Sequence, residues 1–192
     1  MNQDHFVSAL RQGDSTAFKE LVEQYKKPVY NTGLGMLQNE EDAEDVAQEV
    51  FIQVFQSISQ FKGDSKLSTW IYRITVSKSL EFIRKKRTKK RFGFVSGLFG
   101  NEYLLDQSGK KEFYHPGVAM ENRELSAILF KSINGLPENQ RIAFILHKLE
   151  QISYQEVAEV MQVSLSSVES LIFRARQNLQ KELGEVYKNY EG

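Results

Sequence analysis

The sequence predicts an all-α protein, with two small helical domains joined by a flexible linker. Apolar residues recur at three- and four-residue steps through most of the chain, and helix-capping residues precede several of these stretches. One internal stretch, rich in glycine, loses this period. We therefore predict an N-terminal helical bundle at 1–91, a linker at 92–120 and a C-terminal helix-turn-helix domain at 121–192.

The charge of the chain is balanced overall but unevenly distributed. Residues 1–60 hold four basic and ten acidic residues, a net charge of −6. Residues 61–91 hold eleven basic and two acidic residues (+9), and the remainder holds ten and thirteen (−3). A basic block between acidic flanks is typical of a protein that contacts a polyanion with one surface and another protein with others.

Composition argues against several classes of site. There is no cysteine, which excludes disulfides and thiolate metal sites, and the three histidines lie far apart without ligand spacing. We expect no cofactor, no metal and no enzymatic activity, because no nucleophile–base set or glycine-rich phosphate loop is present. Neither a signal peptide nor an apolar run of membrane-spanning length is visible, so we expect a cytoplasmic protein.

The first sixty residues predict four helices. Two lie at 4–25 around Gly13, and Pro28 suits the first turn of a third. Asn39 predicts the start of a fourth, because it caps free amides and three acidic residues follow it in the positive first turn.

The fourth helix, at about 42–56, has a wide apolar stripe that extends to Phe55 and Ile58 and belongs in a core. From composition alone, its other face is more easily interpreted as a solvated acidic surface. Ile52 among carboxylates and amides indicates a partner surface instead. The polar face comprises Asp45, Gln48, Glu49, Ile52 and Gln56.

A polar loop at 61–69 leads into a helix that combines aromatic and basic side chains. Aromatic and basic residues beside a flexible loop suit the binding of an unstacked base, although core packing would explain Trp70 and Tyr72 equally well. The helix runs into a basic stretch at 84–91. The outward positions include Tyr72, Arg73, Lys78 and Arg84.

The linker predicted at 92–120 contains an unusual apolar cluster, which we expect to dock on this protein or inside a partner. The cluster comprises Phe92, Phe94, Val95, Leu98 and Phe99. A helix from about 121 to 134 follows and ends at Gly135, and Pro137 begins the next one.

A helix-turn-helix is predicted near the C-terminus. Ser153 and Glu156 form a capping box, 162–164 breaks the first helix, and Ser164 caps a second helix at 165–182. Leu165 begins the apolar stripe of this second helix. Its opposite face carries short polar side chains suited to base edges, while Arg174 and Arg176 suit phosphates. A helical hairpin that only packs is the alternative.

Several segments together resemble the bacterial sigma factors of the extracytoplasmic-function group, in the sigma-70 family. One such motif would be weak evidence, but their order and spacing are specific, and the resemblance covers nearly everything except the linker. The segments are DAEDVAQEVF at 42–51, STWIYRI at 68–74, LPENQR at 136–141, SYQEVA at 153–158 and FRAR at 173–176.

The resemblance implies a sigma factor that binds core RNA polymerase and directs promoter-specific initiation. The clamp helices of the largest polymerase subunit would contact Asp45, Gln48, Glu49 and Ile52. The −10 element would be bound as a melted single strand by Phe61, Lys62, Gly63, Asp64, Ser65, Ser68, Thr69, Trp70, Tyr72, Arg73, Lys78 and Arg84. The −35 element would be read as duplex by Ser164, Ser166, Ser167, Glu169, Ser170, Arg174 and Arg176.

The same resemblance implies two further contacts. The C-terminal domain would sit on the flap of the second-largest subunit, and an anti-sigma protein would compete with polymerase at the acidic face. No direct membrane insertion is implied.

The chain departs from the family at a few positions. Glu169 and Leu171 stand where many relatives have basic residues. Leu171 fits the apolar stripe and is not counted as a base contact, whereas Glu169 accepts from a cytosine amine and repels phosphate, which predicts unusual −35 specificity. Ser77 and Glu81 stand where relatives often have asparagine and aspartate, which leaves the −10 preference open. The alternative is a free-standing regulator, which would need a stable dimer to space two recognition helices one DNA turn apart.

Overall fold

The computed structural model describes residues 3–97 and 123–190, and these residues form helices and short turns without a strand. The helices are α1 (Gln3–Arg11), α2 (Ser15–Leu37), α3 (Glu40–Ser57), α4 (Leu67–Gly97), α5 (Arg123–Gly135), α6 (Glu138–Phe144), α7 (Tyr154–Met161) and α8 (Leu165–Tyr190). A 3₁₀ turn at Ile58–Gln60 follows α3, and a π-helical segment at Ile145–Leu149 continues α6. The all-α prediction is confirmed. None of the described helices is long and apolar enough to cross a membrane.

Helices α1 to α4 form an N-terminal bundle around one apolar core. Leu21, Val50 and Val54 are fully buried where α2 and α3 meet, and Ile71 of α4 closes the core. The Asn39 side chain accepts a hydrogen bond from the amide of Asp42 at 2.8 Å, so the cap predicted for α3 is confirmed.

Helices α5 to α8 form a second unit. Phe130, Ile133, Leu146 and Ile172 are at most 1% exposed at its centre. The capping box of α7 is confirmed, because the Ser153 amide donates to Glu156 and the Glu156 amide donates to Ser153. Ser164 accepts from the Ser167 amide and caps α8, which completes the predicted helix-turn-helix.

The predicted helix boundary at Pro28 is wrong, since α2 continues through it. Proline inside a helix costs about 3 kcal/mol. Leu21 before it and Val29 and Leu34 after it are at most 1% exposed. Burial of such side chains contributes roughly 1.5–3 kcal/mol each, which outweighs the lost hydrogen bond.

The prediction that helical structure ends near residue 91 is also wrong, because α4 runs on to Gly97. Each glycine costs only about 1 kcal/mol in a helix interior, which a long helix tolerates. The side chains of the apolar cluster at 92–99 lie outside the described residues, so its predicted docking stays a prediction.

The two units pack against each other in the described structure. Met36 of α2 and Tyr72 of α4 belong to the apolar cluster of the C-terminal unit. The Gln38 side chain donates to the backbone carbonyl of Phe130. A methyl group added at Gly35 would lie 3.2 Å from side-chain atoms of both Ile145 and Leu149. The backbone of α2 therefore lies directly against the π-helical segment.

Candidate nucleic-acid interface

The predicted polymerase-binding residues form one exposed face on α3. Asp45, Gln48 and Glu49 are exposed, and Ile52 is 54% exposed beside them. Steps of three and four residues place all four on one side of the helix. This face lines a groove with Lys78, Phe82 and Lys85 of α4.

Phe55 extends the same face, and the sequence interpretation missed it. The pattern predicted Phe55 in the core, but its side chain is 57% exposed and its ring meets the edge of Phe18 at 5.2 Å. Val54 and Ile58 of the same stripe are buried, so Phe55 lies at the edge of a stripe that is wider than the buried side of α3. An apolar patch of Ile52 and Phe55 between carboxylates suits a protein partner.

A chain of ion pairs connects the α3 face to α4. Lys78 Nζ lies 3.4 Å from a Glu49 oxygen and 3.9 Å from a Glu81 oxygen, and Lys85 Nζ lies 2.8 Å from the other Glu81 oxygen. The hydrogen bond from Lys85 lowers the pKa of the Glu81 carboxyl. Lys78 was predicted among the outward residues that bind the −10 strand, and in this structure its ammonium lies between two carboxylates.

The polar loop between α3 and α4 has a buried base and an exposed tip. Phe61 is 3% exposed and packs on Trp70 at a ring distance of 5.3 Å, and Thr69 is 2% exposed. Lys62, Gly63 and Asp64 are exposed. Phe61 and Thr69 therefore support the loop, which corrects the prediction that their side chains contact DNA directly.

Ser65 and Ser68 of this loop are half-buried and lie between its exposed tip and its core. Gly63 has a φ of +87° with open space where a Cβ would lie. Only glycine adopts that backbone region readily, so the turn at the tip depends on this residue.

The first turns of α4 are covered by the C-terminal unit. Tyr72 was predicted to point outward, but it is 8% exposed and its hydroxyl donates to Glu150 Oε2 at 3.3 Å. Arg73 Nη2 donates to the Glu159 carbonyl at 2.8 Å. Lys66 Nζ lies 2.9 Å from Glu156 Oε1. The prediction that Tyr72 points outward is wrong, because the residue pattern of α4 alone does not show that the C-terminal unit covers this helix.

The carboxyl groups at this contact have strongly altered pKa values. Burial raises the pKa of Glu150 to about 7, and the Tyr72 hydrogen bond offsets part of that rise. Glu156 is the opposite case: hydrogen bonds from Lys66 and from Ser153 lower its pKa to about 2. Burial and the nearby Glu150 carboxyl raise the pKa of the Tyr72 phenol.

The predicted −35 residues lie together at the start of α8. Six of the seven are exposed, and Ser167 is half-buried behind Ser164, which caps its amide. Leu165 was predicted to face inward but is 42% exposed, because the first turn of α8 projects beyond the core. The exposed predicted residues are Ser164, Ser166, Glu169, Ser170, Arg174 and Arg176.

The FRAR segment also holds Phe173, which is 61% exposed on α8. The sequence interpretation gave this residue no role, because it treated 173–176 only as a family motif. Its chemistry suits an apolar contact with a partner.

Comparison with known proteins identifies the family. The model of Sigma-70 region 2 matches residues 21–89, from α2 into α4, and that of Sigma-70, region 4 matches residues 126–179, from α5 into α8. The RNA polymerase sigma-H factor of Pseudomonas aeruginosa is 32% identical over 92% of this chain and 91% of its own length. The chain belongs to the sigma-70 family of RNA polymerase sigma factors.

Two further relatives place the sigma factor in the extracytoplasmic-function (ECF) group of that family. The ECF RNA polymerase sigma factor SigW of Bacillus subtilis is 32% identical and covers 94% of this chain and 96% of the relative. The ECF RNA polymerase sigma-E factor of Escherichia coli is 33% identical over 89% and 88%. The chain is therefore a non-catalytic initiation factor that acts with core RNA polymerase at promoter DNA, and the prediction that it is not an enzyme is confirmed.

Solved structures confirm the fold of the sigma factor. CnrH, solved in complex with the cytosolic domain of CnrY, aligns over 95% of this chain and 97% of its own, with a TM-score of 0.69 and 20% identity. RpoE of Bartonella quintana, solved with the anti-sigma factor NepR, aligns over 87% and 96%, with a TM-score of 0.63 and 21% identity.

Proposed function

We propose that the sigma factor docks on the clamp helices of the largest polymerase subunit through the α3 face. The exposed patch of Ile52 and Phe55 between Asp45, Gln48 and Glu49 carries this proposal. Large exposed apolar side chains rimmed by charge mark protein contacts rather than solvated helix faces. The two charged residues of this face, Asp45 and Glu49, are both acids. A helical partner with basic side chains therefore complements this surface.

Region 2 then holds the −10 element as a melted single strand. A base flipped from the non-template strand enters the loop at Lys62, Gly63 and Asp64, and Lys78 and Arg84 bind strand phosphates. Stacking worth about 1–3 kcal/mol per base offsets a similar cost of unstacking. Phe61 and Thr69 are buried at the base of the loop and hold it in position. No covalent bond forms or breaks.

Region 4 reads the −35 element as duplex through α8, while the unit rests on the flap of the second-largest subunit. Small serine hydroxyls at the helix start fit base edges in the major groove, and Arg174 and Arg176 bind phosphates. Glu169 accepts from a cytosine amine and repels phosphate, so it favours one base while weakening non-specific binding.

An anti-sigma protein competes with polymerase for the α3 face. CnrH was solved with the cytosolic domain of CnrY, and RpoE with the anti-sigma factor NepR. The exposed patch here offers one surface for two partners. The sigma factor works in the cytoplasm, beside polymerase and chromosome. If a candidate inhibitor and core polymerase bind this protein simultaneously, the competition is refuted.

Run-off transcription tests the proposal. Purified core polymerase is supplied with a pool of upstream fragments from the source genome, with or without the sigma factor. We expect discrete transcripts only with the protein, and their loss on Asp45→Arg. Glu20→Arg is the matched control, because it reverses an exposed acid of α2 outside the face.

Transcripts that survive Asp45→Arg undiminished would refute the docking surface. No transcripts at all, combined with tight duplex binding by the protein alone, would favour the free-standing regulator.

A further inference from the structure

The last turn of α1 lies against the base of the polar loop that the proposed function gives to single-stranded DNA. Arg11 Nη2 donates a hydrogen bond to the backbone carbonyl of Phe61, 50 residues further along the chain. Arg11 lies outside both matched family models, which cover residues 21–89 and 126–179. The sequence interpretation also gave it no role, because nothing in the pattern of α1 indicates a contact with so distant a loop.

The apolar side of α1 fixes the rotation of this helix about its own axis. Phe6, Val7 and Leu10 are at most 7% exposed and belong to the core of the N-terminal bundle. Arg11 follows directly in the last turn of the helix, and its side chain is exposed. The guanidinium therefore lies at the margin of the core, where α1 contacts the 3₁₀ turn that precedes the loop.

The end of α1 is equally well defined. The Gly13 amide donates to the Leu10 carbonyl at 3.1 Å. The Asp14 amide donates to the Ala9 carbonyl at the same distance, and the two bonds form a Schellman motif. Gly13 has the positive φ, +77°, that this motif requires, and Asp14 then caps α2. Arg11 is thus held on a fixed corner between two helices.

Phe61 is the last anchored residue before the exposed tip of the loop. Its ring is 3% exposed and lies 5.3 Å from the ring of Trp70, and its amide donates to the Ile58 carbonyl at 3.2 Å. The bond from Arg11 holds its carbonyl as well. Because a peptide unit is planar, a fixed Phe61 carbonyl also fixes the amide and Cα of Lys62. The guanidinium therefore sets the direction in which the tip leaves its base.

The donor in this contact carries a charge. A guanidinium stays protonated in proteins and donates through a planar fork. Charge-assisted hydrogen bonds are roughly twice as strong as neutral ones. The tip at 62–64 is exposed and turns at Gly63, so its position depends on the anchors at its base.

We propose that Arg11 is a positioning residue for the −10 single strand. It acts through the Phe61 carbonyl and holds the loop, before any DNA is present, in the conformation that receives a flipped base. Such preorganisation raises affinity because the loop loses less conformational freedom on binding. The inference rests on the proposed single-strand role of the loop and adds to that site a residue from the helix that precedes region 2.

Tryptophan fluorescence tests the anchor in the free protein. Trp70 is the only tryptophan in the sequence, and it packs on Phe61. Arg11→Met removes the donor while it retains a good helix former. We expect acrylamide to quench Trp70 more strongly in this variant, because a loosened Phe61 covers the indole less. Lys19→Met removes an exposed cation of α2 and is the matched control, which should be quenched as the wild type is.

Transcription with core polymerase tests the function of the anchor. Each −10 base of a promoter found by the run-off screen is replaced in turn. Arg11→Met should lower transcription from the unaltered promoter about tenfold, as expected for the loss of one hydrogen bond from a charged group. It should also flatten the preference between −10 bases and leave the preference at the −35 element unchanged. Arg11→Lys retains a donor and should recover most of both, and Lys19→Met should match the wild type.

Direct contact between Arg11 and DNA is the competing explanation. A cation that binds a phosphate of single-stranded DNA contributes about 0.7 to the slope of log affinity against log salt. Anisotropy of a fluorescein-labelled −10 strand on the assembled polymerase, at several KCl concentrations, measures this slope. Weaker binding by Arg11→Met with an unchanged slope would support positioning. A slope reduced by about 0.7 would overturn it in favour of a phosphate contact.

The remaining outcomes separate the inference from the proposed function. Unchanged quenching of Trp70, or a fall in transcription that is equal for every −10 base, would overturn the inference and leave the sigma function standing. A fall that Arg11→Lys does not relieve would also overturn it. No transcript from the wild type with core polymerase would refute the proposed promoter role, and the inference would fall with it.

Discussion

Single residues with local partners were predictable from sequence. Asn39, Ser153 and Ser164 cap the helices that follow them, because each hydrogen bond spans only three residues. Tyr72 was not predictable in the same way. Its partner Glu150 lies 78 residues away, and the spacing within α4 carries no information about what covers that helix.

The cap of α3 has a measurable effect on stability. Asn39→Ala removes the acceptor for the Asp42 amide, which lies 2.8 Å away. We expect the free energy of unfolding to fall by about 1 kcal/mol, measured by urea denaturation. Asn39→Ser should retain most of the stability, since serine also caps. Equal losses for alanine and serine would contradict a capping role.

Glu150 makes the contact between the two units pH-dependent. Its pKa is about 7 where the two units are in contact, against an ordinary value of 4.5. The contact between the units is therefore favoured fully below about pH 4.5, and that advantage is lost as the pH rises from there to about 7. The equilibrium constant for the contact should fall by up to about tenfold per pH unit between these two values.

Small-angle scattering between roughly pH 5 and pH 8 measures this effect. Tyr72, through its hydrogen bond, and Lys27, through its charge, are the other groups that act on Glu150, and both lower its pKa. Glu150→Gln should remove the pH dependence. A radius that changes equally in wild type and variant would assign the effect to another group.

At the scale of elements, the existence of most helices was predictable and their ends were less so. Periodicity found the apolar stripes, but it could not show that burial on both sides carries α2 through Pro28. The π-helical segment at Ile145–Leu149 left no signal either, because its five residues follow an ordinary apolar pattern. Side chains of this segment lie against Gly35, a contact set by tertiary packing.

A charge reversal at the start of α8 tests the proposed binding of duplex DNA by this helix. Glu169 is exposed among serines and faces the proposed duplex. Glu169→Lys should strengthen binding to a 30-base-pair duplex and steepen the log–log salt dependence by about 0.9 for one new phosphate contact. Anisotropy titrations at several KCl concentrations measure the slope. Glu182→Lys, several turns further along α8, is the control; equal slopes for both would remove Glu169 from the interface.

At the scale of the whole molecule, the division into two helical units was predictable and their contact was not. Charge segregation placed an acidic flank on either side of a basic block. It did not show that the second flank folds back onto the block through Glu156 and Lys66. Family membership follows from motifs along the chain, whereas the contact between the units depends on distances in space.

Glu156 carries two separable roles, and this bears on how such a protein can evolve. Its backbone-facing contacts cap α7, and one carboxylate oxygen holds Lys66. A glutamate codon becomes a glutamine codon by one nucleotide change, which retains the cap and removes the charge. Selection can therefore adjust the strength of the contact between the two units without changing the fold or the promoter-reading residues.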